Sequence, residues 1–435
     1  MKQCLKSGIV ILLVLLTGCT WLQQTGGVVP DLSPTPSATP SPTYVPEVTP
    51  TRAFQPAPQY LTLKMWVPEF LDPYSETAGG KALLTQLQAF SVQNDTVQVE
   101  VIAKRDAGPG GLLNLLSTAI DVAPSILPDV IVLNEADMKN AANAGIIRPL
   151  EDVSVSWSDF YPFAVSGLDI EQAVYGLPFV ADAEQMVYRQ GIADTAPISW
   201  TAVITNAYTM LFPAGSPDKL ANDALLSAYI GSGGRVVEQD GQATLDRLYL
   251  EKLYAFFLDM LRYGLIDADQ ALSLPDTAAA WAVYQQGVGH MAPVSIGQYW
   301  QDPPQGSRPA WVPNALGKPT VIVRDWSLAI VTSDPDREQA ANKLIGWLVD
   351  PGHMSEFSRS ARLVPTRRHA VRLWGLFPED REFLETLLDS GVPALSPDIN
   401  ISVRSALQFG LIAVLTEEVD TPEEAAVFAL TDLRR

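Results

Sequence analysis

The fold of this chain is decided by residues 128–138, which read PDVIVLNEADM. Residues 130–133 form an uninterrupted apolar run of strand length, which is typical of a parallel strand buried on both faces. Asn134 can cap a helix that begins directly after it, and Gly145 is a helix stop. Glu135 and Asp137 fall in the first turn of that helix, so the sequence predicts two carboxylates just beyond the carboxyl end of a sheet strand.

These two acids have two interpretations. In open α/β sheets, ligands bind at the carboxyl ends of the strands, which favours a binding role for Glu135 and Asp137. Acids in a first turn also stabilise the positive end of the helix without any ligand. The sequence leaves both interpretations open.

The segments before this stretch alternate between strand and helix patterns. Residues 61–67 and 97–101 alternate as strands, and apolar residues recur at helical spacing in 80–90 and 112–120. This order predicts an α/β fold with a parallel, doubly wound sheet. Further along, the pattern predicts helices over 200–229, 249–264, 338–349, 380–388 and 403–434, and a strand over 288–293.

Composition excludes several classes of protein. The 435 residues predict two or more lobes. With 29 Lys and Arg against 49 Asp and Glu, the net charge is −20, so we expect no nucleic-acid partner. Both cysteines lie in the first twenty residues, and the three histidines are far apart in sequence. We therefore expect no disulfide, no metal site and no cofactor in the folded part.

The N-terminus predicts export and anchoring. Two lysines precede an apolar run over residues 8–16, about half of what a membrane span needs, so residues 1–19 are predicted to be a signal peptide. The run ends in Leu16-Thr17-Gly18-Cys19, which resembles the lipobox of bacterial lipoproteins. This resemblance implies that Cys19 carries lipid and holds the protein at the membrane, whereas the alternative is a chance cysteine before ordinary cleavage.

Residues 20–59 are predicted to be a disordered linker. They consist largely of Pro, Thr, Ser and Ala, with nine prolines between positions 30 and 58. Such a segment cannot bury enough apolar surface to fold. At about 3 Å per residue, an extended spacer would hold a folded domain up to roughly 90 Å from the membrane.

A series of short motifs follows in a fixed order along the rest of the chain. The first half contains Gly80-Lys81-Ala82-Leu83-Leu84, Val97-Gln98-Val99-Glu100-Val101, Pro128-Asp129-Val130-Ile131, Ala144-Gly145 and Pro149-Leu150. The second contains Tyr175-Gly176-Leu177-Pro178-Phe179, Gly233-Gly234, Ala280-Trp281, Leu328-Ala329-Ile330, Asp350-Pro351 and Val364-Pro365-Thr366-Arg367. From residue 61 onward, the chain resembles the family 1 extracellular solute-binding proteins. These are the substrate-capturing lipoproteins of ABC importers, whose best-known relatives bind maltose and other sugars.

The resemblance implies a two-lobed, periplasmic-binding-protein-like fold with a ligand cleft between the lobes. We expect a first lobe of residues 60–185 plus 328–375 and a second of 186–327 plus 376–435. The chain would cross between them near 183–188, 327–331 and 373–382. The implied partners are a small solute, most simply a sugar or oligosaccharide, and the permease subunits of an importer. We expect a monomer. A binding protein that reports to a membrane sensor is the alternative.

A sugar site needs flat rings for the C–H faces of a pyranose and carboxylates for its hydroxyl groups. The candidates are Glu69, Phe70, Glu135, Asp137, Phe179, Tyr299, Trp300 and Trp326. Tyr299, Trp300 and Trp326 are predicted to lie in loops, so removing the Trp326 ring should leave the fold intact. Trp326 also stands where the family usually has glycine. For each aromatic residue, and for Trp66 inside a strand, core packing is the alternative.

Enzyme activity is not expected. Glu135 and Asp137 are two residues apart at a helix start, whereas the carboxylates of a glycosidase must flank one bond from opposite faces. The sequence also contains no Gly-x-Ser-x-Gly, His-Glu-x-x-His or Walker motif.

Overall fold

The computed structural model describes residues 60–150, 155–166, 168–170, 173–192 and 196–434. The predicted signal peptide, the lipidated Cys19 and the linker over 20–59 lie outside the described residues.

The first part of the chain alternates strands and helices as predicted. In chain order the elements are β1 (Leu61–Pro68), α1 (Ala78–Gln93), β2 (Val97–Lys104), α2 (Leu112–Val122), β3 (Val130–Asn134) and α3 (Glu135–Asn143). Strands β2, β1 and β3 are neighbours and run parallel. Asn134 caps α3 as predicted, because its Oδ1 accepts a hydrogen bond of 2.9 Å from the backbone N–H of Asp137.

The middle of the chain contains two long strands, β6 and β9. Its elements are α4 (Pro162–Val165), β4 (Asp169–Ile170), β5 (Ala173–Val174), β6 (Leu177–Arg189), α5 (Trp200–Thr205), α6 (Asp223–Gly231), α7 (Arg247–Arg262), α8 (Ala268–Ser273), α9 (Thr277–Gln285), β7 (Met291–Ser295), α10 (Ile296–Gln301), β8 (Ser307–Ala310) and β9 (Val321–Ile330).

The last part is mainly helical. Its elements are α11 (Pro335–Leu348), α12 (Pro351–Ala361), β10 (Val364–Pro365), α13 (Arg368–Arg372), α14 (Pro378–Asp389), β11 (Gly391–Pro393), α15 (Pro397–Leu415) and α16 (Pro422–Leu433). Five of these helices begin with proline, whose missing N–H costs nothing in the first turn. Among the described helices, α15 is long and apolar enough to cross a membrane, but much of it is buried against α7 and α16.

The main sheet has the order β10-β6-β9-β3-β1-β2. The parallel part predicted from sequence ends at β3, because β9 pairs with β3 in the antiparallel direction. Both faces of the sheet are covered. Leu63, Met65 and Val67 of β1 pack into one core, and Trp66 packs into the core on the other face. Trp66 is therefore a core residue, as its position inside a strand allowed.

Strands β6 and β9 exchange partners along their length. In β6, residues 177–183 pair with β9, whereas residues 184–189 pair with β7 and β8. In β9, residues 326–330 pair with β3, whereas residues 321–323 pair with β11. Arg324 and Asp325 lie at the point of exchange. A separate, largely helical core forms beyond it from α6, α7, α15 and α16.

Candidate ligand-binding site

A cavity of about 740 Å³ lies where β9 exchanges partners. This volume is in the range that small ligands occupy in proteins. One wall comes from β9, the start of α3 and the loop after β2, and includes Asp106, Glu135 and Trp326. The opposite wall comes from α6, α9 and α15 and the loops before them, and includes Asp223, Thr277 and Arg404. The cavity therefore lies between the two parts of the fold that β6 and β9 join.

Glu135 lines this cavity, in agreement with its position at the end of β3. Its Oε2 atom is buried and has no hydrogen-bond partner among the described residues. Burial raises the pKa of the Glu135 carboxyl, and Lys139 on the next turn of α3 opposes that rise. The side chain is thus an acceptor that is only partly satisfied by the protein.

Asp137 is separated from Glu135 although it is only two residues away. It lines a second cavity of about 500 Å³ beside the start of α2, together with Gly108 and Asn114. The Nδ2 atom of Asn134 donates a hydrogen bond of 3.2 Å to Asp137 Oδ2. Burial raises the pKa of Asp137, and the nearby charge of Asp106 raises it further. Side chains two positions apart lie on different sides of a helix, so Glu135 and Asp137 line different cavities.

Trp326 is not in a loop, and that prediction is wrong. It lies in the middle of β9, directly opposite Asn134 of β3, and is 6% exposed. The indole Nε1 donates a hydrogen bond of 3.0 Å to Asp106 Oδ1. The polar pair before it, Arg324 and Asp325, suggested a loop, but these residues are polar because they line the cavity. Trp326 also lines the cavity, so it is both a core residue and a wall residue.

Phe70 reaches the edge of this region. It lies in a short 3₁₀ helix, Glu69–Leu71, directly after β1. Phe70 is 45% exposed, and its ring meets the Trp326 ring edge-on with centroids 4.7 Å apart. Glu69 is exposed beside it. Neither residue is among those that line the main cavity.

Three further candidates lie in the core. Tyr299 and Trp300 were predicted to lie in a loop, which is wrong, because both lie in helix α10 and are only 2% and 3% exposed. Their rings pack edge-on against each other, 4.9 Å apart, and Trp300 also contacts Phe383. Phe179 is fully buried and stacks on Phe357 at 5.1 Å. None of the three lines the main cavity.

The sequence did not reveal an ionic network at the cavity. Arg324 contacts Asp182 Oδ2 at 2.8 Å and Asp223 Oδ2 at 3.2 Å. Asp223 also pairs with Arg404, which is itself held by hydrogen bonds to Asn400 Oδ1 (2.6 Å) and the Ala221 carbonyl (2.7 Å). Burial alone would raise the pKa of Asp223, but the charges of Arg324 and Arg404 hold it below its ordinary value. The network ties β6 and β9 to α6 and α15.

Glu184 and Asp325 have the most strongly raised pKa values among the carboxyl groups of the cavity wall. Burial raises the pKa of Glu184 to about 8, and the nearby charge of Asp223 makes a smaller contribution in the same direction. Burial, followed by the charge of Glu135, raises the pKa of Asp325 well above its usual range. Glu184 Oε2 and Asp325 Oδ1 are buried and lack a hydrogen-bond partner among the described residues. Both residues line the same cavity as Glu135.

The sequence profile described as "Bacterial extracellular solute-binding protein" matches residues 85–376, about two thirds of the chain. The chain belongs to this family of bacterial extracellular solute-binding proteins. No curated protein matches the sequence at a significant level.

Solved structures share the fold of this solute-binding protein. The maltose-bound MalE3 of T. maritima is 20% identical with a TM-score of 0.64, and the match covers 86% of this chain and 99% of that one. The GacH receptor of Streptomyces glaucescens GLA.O, solved unliganded and with acarbose, is 17% identical (TM-score 0.62, 85% and 96% covered). The cyclic α-maltosyl-1,6-maltose binding protein of Arthrobacter globiformis is 14% identical (TM-score 0.64, 86% and 98% covered). These matches confirm the two-lobed, periplasmic-binding-protein-like α/β fold predicted from the sequence.

Proposed function

We propose that this extracellular solute-binding protein captures a small saccharide in the 740 Å³ cavity and delivers it to an ABC importer. The observation that carries the proposal is the cavity itself, which is lined by Glu135, Glu184, Asp325 and the Trp326 ring. Carboxylates accept hydrogen bonds from hydroxyl groups, and an indole provides a flat apolar surface for a sugar C–H face. Support also comes from the three solved structures named above, which bind maltose, acarbose and a cyclic maltose derivative.

The proposed site differs from the one expected from sequence. It keeps Glu135 and Trp326 and places Phe70 at the rim, next to Trp326. It adds Glu184, Asp325 and the Arg324–Asp223–Arg404 network. It omits Phe179, Tyr299 and Trp300, since their rings are buried elsewhere in the core. Glu69 and Asp137 are also omitted, because neither lines the cavity.

The proposal includes closure of two lobes on the ligand. We assign residues 60–185 plus 328–375 to the first lobe and 186–327 plus 376–435 to the second. The partner exchange in β6 after Ala183 supports the first crossing. In β9 the exchange falls at Arg324 and Asp325, just before the second crossing predicted near 327–331. A ligand that contacts both walls would favour a closed arrangement. Small-angle scattering should therefore show compaction with ligand, and an unchanged radius of gyration with a bound ligand would contradict closure.

The proposal also includes a lipid anchor at Cys19 and a spacer over residues 20–59. A receptor anchored in this way would stay close to the permease while it samples solutes. Its attachment should require more than one acyl chain, since a single chain gives marginal, reversible binding.

Differential scanning fluorimetry against mono- and oligosaccharides tests the proposed function. A ligand at a hundredfold excess over its Kd stabilises the native state by about 2.7 kcal/mol. We expect at least one saccharide to raise the melting temperature in a saturable manner. If no saccharide did so while another class of small solute did, the sugar assignment would be wrong but the solute-binding assignment would stand.

A further inference from the structure

Three carboxyl oxygens at the cavity have no partner in the described part of the chain. They are Glu135 Oε2, Glu184 Oε2 and Asp325 Oδ1, and all three residues line the same cavity. Asp325 is the most enclosed, with 5% of its surface exposed. Buried acceptors are nearly always hydrogen-bonded in native proteins, so we expect a donor near each of these atoms. The Thr277 hydroxyl lies beside Glu184 and can serve it, whereas Glu135 and Asp325 are near enough for the charge of Glu135 to act on Asp325. A ligand in the cavity can supply donors to these two.

The cavity wall is rich in acidic side chains. Seven acidic residues and two arginines line it. Both arginines are already paired, since Arg324 contacts Asp182 and Asp223 and Arg404 contacts Asp223. Within the described residues, no ion pair joins Glu135, Glu184 or Asp325 to a basic side chain. The positive charges of Lys139 and Arg324 act on Glu135 and Glu184 without a direct ion pair.

The other acids of the wall have local partners. Asp106 accepts from the Trp326 indole, Asp276 caps α9 through the backbone N–H of Ala279, and Asp218 accepts from the backbone N–H of Leu220. The unpartnered carboxyl oxygens of the wall are thus those of Glu135, Glu184 and Asp325. These acids do not form a metal site by their arrangement, because no group of three His, Cys, Asp or Glu residues among those described could hold a metal ion.

The apolar part of the wall is poor in rings. Trp326 is the one aromatic side chain among the residues that line the cavity, and only 6% of it is exposed. The opposite wall presents prolines and aliphatic residues instead, including Pro213, Leu220 and Leu395. Stacking is therefore limited to the Trp326 ring, and hydrogen bonds to the carboxyl groups contribute more to binding than they would in a site lined by several rings.

We propose that the ligand carries a protonated amine, and that Glu135 and Asp325 bind this ammonium group in the cavity. The saccharide part of the ligand rests on the proposed function above, so the ligand class is an amino-substituted saccharide. An ammonium group offers several donors and a positive charge, which suits two neighbouring carboxyl groups with unpartnered oxygens. Its hydrogen bonds to carboxylates are stronger than those of a neutral hydroxyl group.

Binding of an ammonium group should release protons. Burial raises the pKa of all three carboxyl groups, so part of them is protonated without ligand, and a cation beside them favours the ionised form. The titratable and charged groups that surround them come from α3, β6, β9, the loop after β2, α6 and α15. They are Asp106, Lys139, Asp182, Asp223, Arg324 and Arg404.

The test compares three β-1,4-linked disaccharides that differ at carbon 2, which bears an amine, an acetamide or a hydroxyl group. They are the glucosamine disaccharide, its N,N′-diacetyl counterpart and cellobiose, and spermidine serves as an amine without a sugar. Titration calorimetry at about pH 6, where such amines are protonated, is run in two buffers of different ionisation enthalpy. We expect the amine disaccharide to bind at least tenfold more tightly than its two counterparts and to release protons.

The variants Asp325→Asn and Glu135→Gln should reduce that preference to within about threefold, and each keeps its side-chain volume. If Asp325→Asn fails to fold, Glu135→Gln and the comparison of ligands on the unaltered protein still decide the matter. Equal or tighter binding of cellobiose or of the acetylated disaccharide would show that the ligand needs no amine, and it would leave the saccharide proposal standing. If spermidine bound and no saccharide did, the ammonium site would be supported and the assignment of a saccharide ligand would be wrong. Absence of binding by every amine tested would overturn the inference.

Discussion

Trp326 and Asp106 are joined across the sheet by a hydrogen bond of 3.0 Å from the indole Nε1 to Oδ1. The bond links the middle of β9 to the loop after β2, two segments 220 residues apart in sequence. Burial raises the pKa of Asp106, and the indole opposes that rise. The ring is thus fixed in orientation, with one edge against Phe70 and part of its surface at the cavity.

Substitution of Trp326 should affect stability as well as binding. Because the ring is 6% exposed and belongs to the same core as Leu63 and Met65 of β1, Trp326→Ala should cost about 3–5 kcal/mol of unfolding free energy. This reverses the expectation for a loop residue. Trp326→Phe keeps most of the packing and loses the bond to Asp106, so it should cost less. Urea denaturation measures both, and a Trp326→Ala protein as stable as the wild type would contradict the core assignment.

The Arg404–Asp223 pair should be important for folding. Both residues are buried, and Arg404→Ala leaves the Asp223 carboxylate with Arg324 as its remaining basic partner. Breaking a buried pair costs about 3–5 kcal/mol when the remaining charge is left uncompensated, so with Arg324 still beside Asp223 the loss should be smaller than this but above about 1 kcal/mol. The matched control is Arg247→Ala, which removes the pair with Glu251 on the surface of α7, where Arg247 is 57% exposed. The control should lose less than about 1 kcal/mol in the same denaturation assay. Equal losses in the two variants would show that the buried network is dispensable.

The stability of the protein should fall as the pH rises toward 8. Burial raises the pKa of Glu184 from 4.5 to about 8, so the folded state holds this proton more tightly than the unfolded chain. Its contribution to stability is complete below the unfolded pKa and is lost as the pH rises through the folded pKa. The wild type should lose on the order of 1–4 kcal/mol of unfolding free energy between about pH 5 and 8 through this group. Glu184→Gln cannot titrate at this position, so it should not show that loss. Melting curves across that range that run parallel for the two proteins would contradict the assignment.

Cys19 should determine where the protein fractionates. If Cys19 is lipidated, Cys19→Ala should move the protein from the membrane fraction to the soluble fraction after carbonate washing. Immunoblotting of both fractions is the measurement. Cys4, which lies in the predicted signal peptide, provides a control, and Cys4→Ala should leave the distribution unchanged. A Cys19→Ala protein that stays with the membranes would rule out this anchor.

Local signals predicted the first half of the fold. The apolar run of β3, the Asn134 cap and the alternation before them depend on neighbours in sequence, so they could be predicted. The part of β9 around Arg324 and Asp325 could not, because these two residues line the cavity and their polar side chains are typical of a loop.

The candidate site was only partly predictable for a similar reason. The network of Asp182, Asp223, Arg324 and Arg404 joins four distant segments and leaves no local pattern. Tyr299 and Trp300 were misplaced because the helix that contains them is only six residues long, and Asp302 directly after its last residue, Gln301, is typical of a turn.

The most direct test of the proposed site compares Glu135 with Asp137. Glu135 lines the main cavity, whereas Asp137 faces a different cavity only two residues further along the same helix. Titration calorimetry with the saccharide found in the screen should show binding weakened about tenfold or more in Glu135→Gln, since a hydrogen bond to a carboxylate contributes about 1.5–3 kcal/mol. Asp137→Asn should change the affinity by less than about threefold. Unchanged affinity in Glu135→Gln, or a larger loss in Asp137→Asn, would show that the solute binds elsewhere.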